Sequence, residues 1–198
     1  MLNSYHIIER WVFCLIFGTV AVVFFLQDDS ELGWPGPRYN VSDSMPWGIY
    51  WFVPGQVKRG EVVGACLPNS LAKYALAHKI LEPSQHPCAN GVEPLVKVVA
   101  AETGDTVDIE SDGVHINGKL WPMSAVRKVD VSGHPIHFHT VFGRHVVPPG
   151  KVFLLGLHPR SFDSRVWGEV PRSLITGHWI PNPITQYVVK KEYSVDIS

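Results

Sequence analysis

From Trp11 to Leu26 the chain carries no charge, and Gln27 extends the uncharged stretch to seventeen residues, the shortest length at which a helix crosses the hydrocarbon core of a bilayer. In lipid the backbone must satisfy its own hydrogen bonds, so a lone segment of this kind folds as an α-helix. Everything after it must then fold as a separate unit on one side. A cleaved signal peptide is the rival reading, but small residues should precede its cut. Phe24-Phe25-Leu26-Gln27-Asp28 offers none, so the run reads as an uncleaved anchor over 11–27. Arg10 precedes it, while Asp28, Asp29 and Glu31 follow. Basic residues favour the cytoplasmic side, which makes 1–10 a cytoplasmic tail and puts the bulk of the chain outside.

At 198 residues the chain suits one anchored domain with a substantial core. A net charge of −1 with 18% charged residues gives no basic footprint for nucleic acid. Residues 28–40 are polar and rich in Pro and Gly, the composition of a short linker, leaving 41–198 as the domain. Cys14 falls in the apolar run. Cys66 and Cys88 fall in the exported part, where disulfides persist, and spacing alone does not settle whether they bridge.

Short apolar runs recur between turn signals at 49–53, 61–67, 95–101, 106–110, 114–116, 152–155 and 178–180, and each reads as a strand. Asp112-Gly113 and Asn117-Gly118 mark tight turns of a hairpin meander. One soluble helix is expected over 70–81, capped by Asn69 or Ser70 and stopped before Pro83. The fold class is therefore mainly β, with one N-terminal transmembrane helix.

Lys97 interrupts the apolar run Leu95-Val96-Lys97-Val98-Val99. A lysine buried there has its charged form disfavoured, which lowers its pKa and lets the neutral amine accept a proton. The alternative is an edge lysine snorkelling to water. Ser44, in Ser42-Asp43-Ser44-Met45-Pro46, is either a nucleophile for that base or a serine that merely caps a turn. A third segment, Ser161-Phe162-Asp163-Ser164-Arg165-Val166-Trp167-Gly168, sets hydroxyls, an acid and an arginine between strand candidates. Asp163 and Arg165 have the chemistry to pin that loop through a charge-assisted pair.

Together the three segments resemble the type I signal peptidase family, the Ser/Lys membrane peptidases, and within it the conjugative-transfer, TraF-type branch. Ser-x-Ser-Met-Pro matches the nucleophile box, the lysine box falls on Lys97 with Gly104-Asp105 after it, and Ser-x-Asp-Ser-Arg-x-x-Gly matches residues 161–168. The resemblance covers about residues 40–181, with all boxes in order. Val98 and Glu102-Thr103 depart from the residues usual at those places. The resemblance implies a signal-peptidase-like β fold with Ser44 as nucleophile and Lys97 as general base. It also implies an oxyanion hole from the Ser42 hydroxyl and the Ser44 amide, with Ser161 holding the lysine amine. Asp163, Ser164 and Arg165 would support these groups. It further implies an anchor in the inner membrane with a periplasmic catalytic domain. The substrate would be a pilin-like exported precursor, cleaved or cyclised. No cofactor is implied.

Trp47, Tyr50, Trp51 and Phe52 crowd behind the nucleophile box. They suit either a lipid interface or an aromatic core. His134, His137, His139 and His145 form a cluster, but Gly and Pro interrupt it and no cysteine or carboxylate completes a zinc set, so no metal is assigned. A Ser/His/Asp triad lacks a Gly-x-Ser-x-Gly elbow. Two further readings are an inactive membrane-anchored β module that binds a pilin or secretion component, and a self-cleaving repressor-like Ser/Lys domain. The absence of a DNA-binding segment counts against the last.

Overall fold

The computed structural model describes residues 35–84, 88–129, 135, 136 and 139–193. The expected tail, the anchor and the first part of the linker lie outside the described residues. Among the described residues no helix is long and apolar enough to cross a membrane. They are mainly β, as the run of apolar segments between turns predicts.

A seven-stranded antiparallel sheet carries the domain. Its order is β1 (Gly36–Asn40), β2 (Gly48–Val53), β11 (Ile175–Pro181), β3 (Val62–Ala65), β4 (Leu95–Glu102), β9 (Lys151–Leu155) and β10 (Val170–Pro171). A second sheet has the order β7 (Lys119–Leu120), β6 (Val114–Ile116), β5 (Thr106–Ile109) and β8 (Gly143–Val146). Central β3 and β4 are buried on both faces, which is why they read as unbroken apolar runs rather than alternating ones. Their register sets Val63 opposite Lys97. At Gly64 the neighbouring strand presses so close that a Cβ would lie 2.5 Å from Trp179 Nε1. In β5, by contrast, Val107 and Ile109 are buried while Thr106 and Asp108 are not. Asn117 and Gly118 both have positive φ, 50° and 80°, the conformation of the two-residue hairpin turn that Asn-Gly favours.

Several elements differ from the sequence reading. Gly36–Asn40 belongs to the sheet as edge strand β1 rather than to a linker; its Gly-Pro start hides it, although an edge strand tolerates proline. The helix expected over 70–81 runs as α1 over Asn69–Ala77. Pro68 sits at its N-cap and no side chain caps it, so neither Asn69 nor Ser70 plays that part. It stops early because Lys79 turns left-handed, φ 53°. The amides of Lys79 and Ile80 then close on the carbonyls of Leu76 and Ala75, a Schellman-type end. Ile80 and Leu81 are thereby turned onto the core. Two helices were not expected: α2 (Ser164–Trp167) and α3 (Pro183–Tyr193). Asn182 Oδ1 accepts the Ile184 and Thr185 amides ahead of α3, an N-cap followed by proline at the first helical position.

Cys66 and Cys88 are joined in a disulfide across α1, with Cα atoms 5.7 Å apart. The crowded aromatics divide by strand alternation: Tyr50 and Phe52 are in the core, whereas Trp47 and Trp51 are 61% and 52% exposed. The core reading holds for Tyr50 and Phe52, while Trp47 and Trp51 face outward.

Candidate active site

Three elements converge on Ser44. The first is the loop between β1 and β2. Asn40, the buried last residue of β1, gives its side-chain N–H groups to the carbonyls of Ser42, Met45 and Pro46, at 3.1, 3.0 and 3.1 Å. Its oxygen accepts the Ser42 amide at 3.2 Å. Buried Met45 drives one side of the loop into the core, and the Tyr50 hydroxyl donates to the Pro46 carbonyl at 2.7 Å. Ser44 is thus held at a partly open tip whose backbone is pinned from below. Asn40 escaped the sequence reading because the linker composition around it drew attention away. The nearest signal was a lone Asn two residues before the serine box.

The second element is the end of β9. The Leu157 amide donates to the Ser44 carbonyl at 2.8 Å. At Gly156 a Cβ would overlap the Ser161 hydroxyl and come within 2.9 Å of the Ser44 carbonyl oxygen. Only a glycine allows these chains to meet there.

The third element is the 161–165 loop leading into α2. Ser161 Oγ donates to Ser44 Oγ at 3.2 Å across 117 residues of sequence. Behind it lies a buried ion pair: Arg165 Nε and Nη2 donate to the two Asp163 oxygens at 2.8 and 2.7 Å. Asp163 is fully buried and Arg165 is 3% exposed. Their remaining capacity is also used. Asp163 accepts the Gly156 amide at 2.9 Å, and Arg165 donates to the carbonyls of His158 and Met123, at 2.8 and 2.9 Å. Such satisfaction of both ions is the condition under which a buried pair is tolerated. Ser164 Oγ accepts the Leu154 amide at 2.9 Å, tying α2 to β9.

Lys97 lies in this same electrostatic neighbourhood. It is 1% exposed, and burial lowers its pKa from 10.5 to about 8, with Asp163 opposing the shift and Arg165 adding to it. Its amine donates to the Val96 carbonyl at 3.0 Å. The snorkelling alternative therefore does not apply. Ser161, expected to hold the lysine amine, makes its contact with Ser44 instead. Ser42 Oγ accepts the Ser44 amide at 3.2 Å, so the two groups read as oxyanion donors are here bonded to each other.

Of the histidines, His134 and His137 lie outside the described residues. His145 Nε2 meets the Glu169 carboxylate at 2.6 Å. Among the described residues, Glu110, Asp112 and His115 bring possible ligand atoms within 4.8 Å of one another, but the two acids are exposed.

The family model described as signal peptidase, peptidase S26, matches residues 5–180. The chain is 37% identical over 161 residues to the conjugal transfer protein TraF of Agrobacterium tumefaciens (strain 15955), covering 80% of this chain and 89% of that one. It is 32% identical over 141 residues to a plasmid transfer protein TraF of Escherichia coli, covering 71% and 78%. A probable thylakoidal processing peptidase 2 of Arabidopsis thaliana is 30% identical over 132 residues, covering 62% of this chain and 33% of that one. Among solved structures, a signal peptidase I from Enterococcus faecalis aligns with 63% of this chain and 97% of its own, at 20% identity and a TM-score of 0.34.

Proposed function

Because the chain belongs to the signal peptidase family, peptidase S26, we propose that it is a membrane-anchored serine endopeptidase of the TraF type in which Ser44 and Lys97 form the catalytic pair. The observation that carries this reading is the burial of Lys97, with its pKa lowered to about 8, beside the loop whose Ser161 touches Ser44. A lysine that is neutral near working pH is a general base, and one beside a serine is an activator of that serine.

Neutral Lys97 takes the Ser44 hydroxyl proton as Oγ bonds to the scissile carbonyl carbon. With Ser161 donating to Ser44 Oγ, the Ser44 proton is left free to point at the base. The Ser42 hydroxyl and Ser44 amide stabilise the oxyanion, the substrate oxygen replacing the hydrogen bond they now share. As the C–N bond breaks, the Lys97 ammonium passes its proton to the departing amine, leaving an ester on Ser44. Lys97, neutral again, deprotonates water as it attacks the ester carbon; the Ser44 Oγ–carbon bond then breaks, the Lys97 ammonium returns its proton to Oγ, and the acid is released. In the cyclising variant the product's own amine takes the place of water.

The substrate in this reading is an exported pilin-like precursor, reached by a periplasmic domain anchored in the inner membrane through residues 11–27. Two features support that placement. The Cys66–Cys88 disulfide suits an oxidising compartment. In addition, Tyr39, Ile49, Trp51 and Ile180 line up as exposed cross-strand neighbours on β1, β2 and β11, an apolar face fit for a lipid surface.

The test is mass spectrometry of a co-expressed precursor, which reports cleavage and, through the loss of one water, cyclisation. Ser44→Ala and Lys97→Ala should each abolish processing with the protein still folded. Ser42→Ala should retain activity lowered by about 10²–10³-fold, the cost of one oxyanion donor. Normal processing by Ser44→Ala or Lys97→Ala ends the assignment.

A further inference from the structure

Beside the serine site lies a pocket of about 80 Å³ that the mechanism above does not use. Its walls are apolar: Ile80 beyond α1, Val126, Ile136 and Phe162. Ser161 forms part of its edge, and the same residue's hydroxyl is 3.2 Å from Ser44 Oγ. An occupant is therefore within a residue or two of the scissile bond. Exposed Arg127 and Arg160 also line the pocket, and among the described residues no carboxylate does. Arg165, the third arginine there, is already neutralised by Asp163.

We propose that this pocket is a specificity site that takes a branched aliphatic side chain of the precursor, with an acidic residue next to it held between Arg127 and Arg160. The size argument is direct. A cavity of about 150 Å³ holds benzene, so roughly half that volume suits a valine or leucine side chain better than a large aromatic one. The charge argument is equally direct: an apolar hole with two exposed cations at its mouth complements an apolar residue flanked by a carboxylate. The disulfide-closed segment that carries Ile80 supplies one wall, so the pocket joins the 161–168 box to parts of the chain outside the catalytic boxes.

This inference rests on the peptidase reading for its substrate, and its test separates the two. Full-length Ser44→Ala protein in detergent would be titrated with fluorescein-labelled Ala-Ala-Leu-Glu-Ala-Ala and its Ala-Glu and Leu-Lys counterparts, followed by anisotropy. The Leu-Glu peptide should bind about tenfold or more tightly than the Ala-Glu peptide, within the range for losing aliphatic groups from a fitted pocket. It should exceed the Leu-Lys peptide by about two- to fivefold, a preference that fades at 1 M salt. Ala125→Trp, at an exposed position lining the pocket, should erase the leucine preference. Arg127→Glu with Arg160→Glu should invert the charge preference. Equal binding of the Leu-Glu and Ala-Glu peptides, no saturable binding of any, or a leucine preference that survives Ala125→Trp overturns the proposal. A fluorophosphonate that fails to label Ser44 in the unmutated protein, while the peptides discriminate as expected, sinks the peptidase reading and leaves the pocket standing.

Discussion

Replacing Lys97 by methionine should make the protein inactive and at the same time more stable. The side chain is 1% exposed, and its pKa falls from 10.5 to about 8 on burial. Below pH 8 the lysine is charged in both states, so the folded state carries the full cost of burying the charge. That shift corresponds to about 3 kcal/mol at pH 7. The sign follows from linkage: between pH 8 and 10.5 the unfolded chain binds the proton that the folded chain has released, so stability rises with pH across that window. At pH 9.5 about half of that cost remains. Methionine fills similar space without charge and removes the cost. Urea unfolding, followed by tryptophan fluorescence without reductant, should therefore show Lys97→Met gaining about 3 kcal/mol at pH 7 and about half of that at pH 9.5. The same shift governs rate. At pH 7 about 9% of the folded protein holds neutral Lys97, against about 0.03% for an ordinary lysine, so phosphonylation of Ser44 by a fluorophosphonate, with loss of fluoride, should rise tenfold for each pH unit and level off above about 8. A variant less stable than the parent, or a gain that does not change with pH, would refute the reasoning, as would a flat rate profile.

Asp163→Ala strands the Arg165 guanidinium without its counter-ion in a buried site, which should cost about 3–5 kcal/mol in the same unfolding assay. Asp163 opposes the fall in the Lys97 pKa, so in whatever Asp163→Asn protein folds, the rise in labelling rate should move to lower pH; an unmoved midpoint would remove Asp163 from the base's surroundings. Cys66→Ser with Cys88→Ser opens a loop with a sequence separation of 22, worth about 3 kcal/mol in the chain-entropy model. A midpoint unchanged in urea would show that the bridge adds nothing to the fold.

What the sequence made legible follows from where the signal is local. The run around Lys97 announced a buried strand because both of its faces are apolar, and Asp163-x-Arg165 announced a pair because the two partners are close in the chain. The hairpin turns were legible for the same reason, since Asn117-Gly118 dictates its own geometry. Asn40 and Gly156 were not. Their roles exist only where β1 meets the serine loop and where β9 meets the 161–165 loop, and neither contact leaves a trace in spacing. Strand β8, Gly143–Val146, was missed because its residues are half polar and its pairing with β5 is the sole reason it is extended. The Ser161–Ser44 contact was not legible for a related reason: it joins two residues 117 positions apart in the chain.

The closeness of the chains at Gly156 also has a use in sorting sequences. Two serines from distant boxes approach each other over a backbone position that has no room for a methyl group. A chain may keep every box in order and still carry a side chain there, and by this geometry its serines are forced apart. Under the proposed assignment, the residue five places before the last serine box is then a one-letter indicator of which related chains can bring the two serines together.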